Sequence, residues 1–236
     1  MFGRLPGGGK IEKGNQLPDD EFSVLQGVPS PDFLDLTLDH GLREVLREGG
    51  KSRADQATIK GLKEKQGIDS LTGLLAEGEV ESRLDKLITE LNFVGEQRRS
   101  TLGAIMVVYL DLNDFKQIND QRGHAFGDQA LVIFANRLRL VTRDLIFRLH
   151  GDEFLILMPI ANDRTISDEV SKGIFKRLQA EINDNLSVED LPISAAMGYI
   201  VLKKGERKSA KDLLHEADQK MYENKREMKL GSNGRS

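Results

Sequence analysis

The chain contains no cysteine. Disulfides, thiolate nucleophiles and cysteine-based zinc sites are therefore excluded. A strong excess of charge is also missing: 34 Lys and Arg stand against 38 Asp and Glu, for a formal net charge of -4. No basic footprint points to a nucleic-acid partner. No apolar run approaches the ~20 residues of a membrane-spanning helix; the longest candidate, residues 104–110, is strand-sized. Met1-Phe2-Gly3-Arg4 leads into no apolar stretch of a signal peptide. Phe2 stands where a myristoylation signal needs glycine. A cytoplasmic protein with no membrane insertion and no nucleic-acid partner is the expectation. With 236 residues, 39% hydrophobic and 31% charged, the chain has room for one domain with a real core, plus an extension.

Residues 1–31 are rich in Gly, Pro, Asp and Glu and read as a flexible arm. Gly7-Gly8-Gly9-Lys10 invites a phosphate-binding-loop reading. That pattern fails at Arg4, where it needs glycine, and at Ile11, where it needs Ser or Thr. Residues 32–65 carry a partial helical stripe (Phe33, Leu34, Leu36, Leu38, Leu42, Val45, Leu46), a Gly49-Gly50 break and a second charged helix. They form a helical extension suited to pairing or signalling. Residues 66–229 alternate between strand and helix patterns, and residues 230–236 read as a flexible tail.

Within residues 66–229, 84–91 look like an amphipathic helix. Residues 104–110 are continuously apolar, as expected of a strand covered on both faces. Asp128 is the expected cap of a helix running to about Thr142. Residues 145–149 and 154–158 are two short apolar runs joined by His150-Gly151-Asp152-Glu153, a β-hairpin with an acidic tip. A helix over 167–183, a strand over 193–202 and a helix over 210–226 complete the pattern. Strands alternating with helices indicate an α/β sandwich.

Three acidic residues stand out: Asp111 at the end of the apolar strand, and Asp152 and Glu153 on the hairpin tip. Carboxylates gathered at one sheet edge repel each other unless a cation sits among them. Hard oxygen ligands of this kind suit Mg²⁺, or Mn²⁺, which fills its shell with substrate phosphates and water. Lys116 and Lys225 would then meet the phosphates. The residues alone leave a plainer reading open, in which Asp111 caps a strand and the tip is merely solvated.

Six ordered segments carry a resemblance. They are Asp69-Ser70-Leu71-Thr72-Gly73-Leu74, the block from Asp111 to Asp120 (DLNDFKQIND), Gly123-His124-Ala125-Phe126-Gly127-Asp128, His150-Gly151-Asp152-Glu153-Phe154, Ser194-Ala195-Ala196-Met197-Gly198, and the block from Ala217 to Lys225 (ADQKMYENK). Together they resemble the GGDEF family of diguanylate cyclases over about residues 66–229. The resemblance implies a palm-like nucleotide-cyclase sandwich, a mixed or antiparallel sheet flanked by helices. It implies condensation of two GTP molecules to cyclic di-GMP and pyrophosphate, dependent on Mg²⁺, in a homodimer that is at least transient. By the same resemblance Asp111, Asp152 and the carbonyl of Leu112 would bind the metal. Glu153 would be a further ligand or lie near the attacking hydroxyl. Asn119 and Asp128 would read guanine. Phe115, Lys116, Gly151, Lys225 and Lys229 would contact the rest of the nucleotide. Arg148 would brace the loop against Asp69.

The sequence departs from the family in four places. His150 replaces the first glycine of the signature. Val141 stands where the product-inhibition RxxD has its Arg, while Asp144 keeps the Asp. Ala76-Glu77 replaces the usual Asn-Arg, and Lys229 replaces a common Arg, keeping charge without the bidentate fork. Arg139 and Arg143 lie near the inhibition motif and read as ordinary solvated arginines. His124 reads as a loop support and Tyr222 as a core residue of the last helix. Two functional readings stay open: an active cyclase, or a degenerate domain that binds GTP or cyclic di-GMP without turnover.

Overall fold

The computed structural model describes residues 67–93, 102–161 and 166–233. The expected arm and helical extension, residues 1–65, lie outside them. The architecture is built on β2 (Leu102–Leu112), whose buried, aliphatic residues explain its central place. It pairs antiparallel with β4 (Glu153–Ala161) on one side and with β7 (Ala195–Lys203) on the other. β3 (Leu145–Arg148) forms a hairpin with β4, and the short β1 (Leu75–Ala76) runs parallel to β3. The sheet order is β1-β3-β4-β2-β7, so the sheet is mixed. β5 (Ser187–Val188) and β6 (Leu191–Pro192) form a separate two-stranded hairpin, too short to leave a periodic signal.

The strand period of two sorts the core into two layers. Met106, Val108, Leu110, Phe154 and Ile156 face one way. They meet α2 (Phe115–Arg122), α3 (His124–Val141) and α4 (Asp168–Asn183) through Ile118, Phe126, Phe134, Leu138, Leu178 and Ile182. Ile105, Val107, Leu155 and Leu157 face the other way. There they pack on α1 (Val80–Leu91) and α5 (Ala210–Asn233) through Leu84, Leu87, Leu91, Leu213 and Ala217. Each fully buried Leu or Phe side chain stabilises by about 1.5–3 kcal/mol. Helices on both faces of a mixed sheet make the palm-like cyclase sandwich that the motifs implied.

Four local expectations change. α3 begins at His124 rather than at Asp128, because Gly123 (φ 86) turns the chain and its carbonyl accepts from the amides of Phe126 and Gly127. α5 runs to Asn233, well past Arg226 and into the expected tail. Tyr222 is not a core residue but 60% exposed; Met221, four residues after Ala217 on the buried stripe, takes the inner position. Arg139 is not simply solvated: it donates to the Thr72 carbonyl at 2.8 Å and so ties α3 to the turn before β1.

Candidate active site

The end of β2 and the tip of the β3–β4 hairpin lie side by side. Asp111 and Glu153 are register partners, and the Leu112 amide donates to the Asp152 carbonyl at 3.2 Å. Gly151 makes this tip possible: its φ of 56 lies in the left-handed region that side chains disfavour. Arg148 holds the tip from behind. Its guanidinium donates to the Gly151 carbonyl at 2.9 Å and to Asp69 Oδ1 at 3.2 Å. The Asp69 carboxyl is opposed by burial, which raises its pKa, but the Thr72 hydroxyl and amide and the Arg148 charge outweigh this and hold it below the usual range.

In front of the tip opens a pocket of about 350 Å³. One wall is the N-terminus of α2, at Phe115, Lys116 and Gln117. First-turn amides have no partner within their own helix, and the helix dipole places partial positive charge there. The chain enters α2 through Asp114, held left-handed at φ 55, a costly conformation for a residue with a side chain. Lys225 and Lys229 of α5 and Asp152 of the tip form the opposite side. Three lysines and a helix N-terminus around one opening suit a polyphosphate.

Asp111 is buried behind this pocket and ion-paired with Lys225. The Asp152 carboxyl is pushed up by burial and then by the negative charge of Asp111, with Lys225 and His150 working the other way. Two neighbouring carboxylates, Asp111 and Asp152, beside the pocket-lining Leu112, are a hard-oxygen set of the kind Mg²⁺ accepts, since it needs only one or two protein carboxylates. The expected third carboxylate, register partner of Asp111 and neighbour of Asp152, is already engaged. Glu153 accepts from the Tyr109 hydroxyl at 2.9 Å, and no group of three acidic or imidazole side chains is placed to hold a metal among the described residues.

The remaining expected site residues sit around the pocket rather than in its lining. Asn119 is half-buried on the last turn of α2, against Gly127; a Cβ at Gly127 would collide with the Asn119 side-chain oxygen. Asp128 is exposed one residue further along α3. His124 is the exposed first residue of α3. His150 does not plug the pocket. It is 66% exposed, with Nδ1 3.9 Å from Glu77 and Nε2 3.4 Å from Glu153. Two departures from the family pattern, His150 and Glu77, thus meet in space.

Sequence reasoning missed Tyr109 and the pocket residues Asp114, Gln117 and Asp120. Tyr109 carried a signal: it is the one hydroxyl in an aliphatic strand, two residues before Asp111 and so on the same face. Burial, then the hydrogen bond and charge of Glu153, push its phenol far above the usual range, so it stays a donor. Just after α3, Asp144 accepts from the Thr142 hydroxyl, and burial pushes its carboxyl up to about 6.

Diguanylate cyclase TpbB of Pseudomonas aeruginosa is 35% identical over 163 residues, covering 67% of this chain and 35% of TpbB. Diguanylate cyclase DgcP of the same organism is 30% identical over 180 residues, covering 74% of this chain and 25% of DgcP. The chain therefore spans about a third or a quarter of the length of these relatives. The crystal structure of the TpbB GGDEF domain matches with a TM-score of 0.55 at 31% identity, over 66% of this chain and 92% of that domain. No helix among the described residues is long and apolar enough to cross a membrane. A family model described as diguanylate cyclase, GGDEF domain, matches residues 66–230, most of the sequence, and by that match the chain belongs to the GGDEF-domain family.

Proposed function

We propose that this chain is an active diguanylate cyclase, joining two GTP molecules into cyclic di-GMP with release of pyrophosphate. The observation that carries the reading is the pairing of the β2 end with the hairpin tip, which sets Asp152 beside both Asp111 and a lysine-lined pocket. In this reading Lys116, Lys225 and Lys229 hold the triphosphate with the first amides of α2, that of Phe115 included. Asn119 and Asp128 read the guanine edge, where an Asp can accept from the ring N–H and the amino group. Gly151 lets the tip approach the nucleotide closely.

Asp111, Asp152 and the Leu112 carbonyl are the residues suited to hold Mg²⁺ or Mn²⁺. When bound there, the ion supplies neutralisation of phosphate charge and a lowered pKa for the attacking hydroxyl. Lys225 already partners Asp111, so the chain can exchange that ion pair for phosphate contacts when the nucleotide arrives. Glu153 stands next to Asp152, where it can take the proton of the 3′-hydroxyl or add an oxygen ligand. Each 3′-oxygen attacks the α-phosphorus of the other GTP and each bond to pyrophosphate breaks, so that two phosphodiester bonds form and two pyrophosphates leave. Most of the acceleration comes from placement and charge. One domain holds one GTP, so two copies must face each other, and residues 32–65 are suited to pair them. A cytoplasmic setting, where GTP is found, accords with this reading.

His150 supports turnover over mere binding, because its imidazole lies against Glu77 and not in the pocket lining. The test is direct. Purified protein with GTP and Mg²⁺ is expected to release pyrophosphate. Asp152→Ala is expected to lower the rate on the order of 100- to 1,000-fold. GTP binding without pyrophosphate release would leave only a binding module.

A further inference from the structure

Glu153 is not loose on the hairpin tip. Tyr109 and Asp111 share a face of β2, and Glu153 is the register partner of Asp111 on β4. The Tyr109 ring therefore lies diagonal to Glu153, within reach across an antiparallel pair. Its hydroxyl donates to Glu153 Oε2 at 2.9 Å, with both side chains partly buried. His150 Nε2 approaches the same oxygen at 3.4 Å, from a side chain that is 66% exposed. Both contacts fall on Oε2. No hydrogen bond or ion pair reaches Oε1 among the described residues.

We propose that Tyr109 is the positioning residue for Glu153: its hydroxyl pins one carboxylate oxygen and leaves the other as the single oxygen free to engage the substrate hydroxyl or the cation. The role as a catalytic aid rests on the cyclase reading; the pinning itself does not. A freely rotating glutamate at a hairpin tip would present either oxygen in many directions. A hydrogen bond to a charged acceptor is shorter and stronger than a neutral one, so a single phenol is enough to select one rotamer. The Tyr109 ring is itself held by packing against the layer that faces α1 and α5. The precision of the site then comes from the rigid centre of the sheet, not from the turn.

Tyr109→Phe removes only the hydroxyl. In the full chain with Mg²⁺, kcat is expected to fall about tenfold while KM for GTP stays within about twofold, because the lost placement matters in the transition state and not in binding. In a Glu153→Ala background the same substitution is expected to change nothing further. Without nucleotide or metal, proton NMR is expected to show a slowly exchanging Tyr109 hydroxyl in the parent chain and in His150→Gly, and none in Glu153→Ala. An unchanged kcat in Tyr109→Phe, a further loss on top of Glu153→Ala, or a hydroxyl signal indifferent to Glu153→Ala would each overturn the proposal. If the parent chain never turns over GTP, the cyclase reading fails, and the NMR result alone decides whether Tyr109 pins Glu153.

Discussion

Two segments flank β3, the end of α3 with its loop and the hairpin tip, and each departs from the family pattern at one residue, with opposite consequences. After the strand, His150 replaces a glycine and little changes. The backbone at His150 does not need positive φ; the left-handed position of the tip is the next residue, and Gly151 fills it. Arg148 fastens the turn through the Gly151 carbonyl, which any residue at 150 would leave in place. Before the strand, Val141 replaces an arginine, and Asp144 is left with the Thr142 hydroxyl as its side-chain partner and a carboxyl pushed up to about 6 by burial. The lesson is physical. A glycine whose conformation is not required can be replaced by a side chain that points outward. A guanidinium that supplies charge and a fork of donors has no substitute in valine.

Val141→Arg is the strongest way to break this contrast. It would restore the guanidinium three residues before Asp144, on the last position of α3. If the loop before β3 is a disabled inhibition site, cyclic di-GMP should inhibit the parent chain weakly and the variant at least about tenfold more tightly, since bidentate, charge-assisted contacts dominate such sites. Inhibition curves on pyrophosphate release measure this. Equal, sub-micromolar inhibition of both proteins would show that the parent loop still works.

The charge on Asp144 gives a smaller, pH-linked effect. Its folded pKa of about 6 lies above the unfolded value near 3.8, so the folded state holds the proton more tightly between those values. Stability contributed by the group therefore falls as pH rises from about 4 to about 6 and stays low above that. Asp144→Asn removes the penalty. At pH 7.5 the variant should be more stable, on the order of 1 kcal/mol after solvent screening. Thermal melts at pH 7.5 and pH 4.5 should show the gap closing at the lower value. A gap that widens on acidification would contradict the assignment of the raised carboxyl.

How much of this was legible beforehand follows from the length of each signal. β2 was readable because both faces are buried, which leaves a continuous apolar run. The hairpin tip was readable from two short apolar runs around an acidic turn, but the Arg148–Asp69 brace was readable only through motif resemblance, since its partners lie 79 residues apart in the chain. The start of α3 was misplaced because a glycine turn and a main-chain acceptor do the work that a side-chain cap would have advertised. Tyr222 was misread because adjacent helical positions diverge by about 100°, and the motif letters do not say which neighbour faces in. The Tyr109–Glu153 contact was invisible for another reason: register alone places residue 109 diagonal to residue 153.

The smallest expected effect is the sharpest test of the contrast. His150→Gly restores the family residue at the tip. What it removes is an imidazole 3.9 Å from Glu77 and 3.4 Å from Glu153, on a side chain 66% exposed. Exposed pairs of this kind are worth about 0–1 kcal/mol, and the added backbone freedom of glycine acts in the same direction on fold stability while leaving the chemical step untouched. The initial rate of pyrophosphate release should therefore stay within about threefold of the parent, because 1.4 kcal/mol would be needed for a factor of ten. A gain beyond tenfold would mean that the imidazole turns from Glu77 into the nucleotide's path during the reaction. The tip would then be as damaged as the loop on the far side of β3, and the difference between the two would vanish.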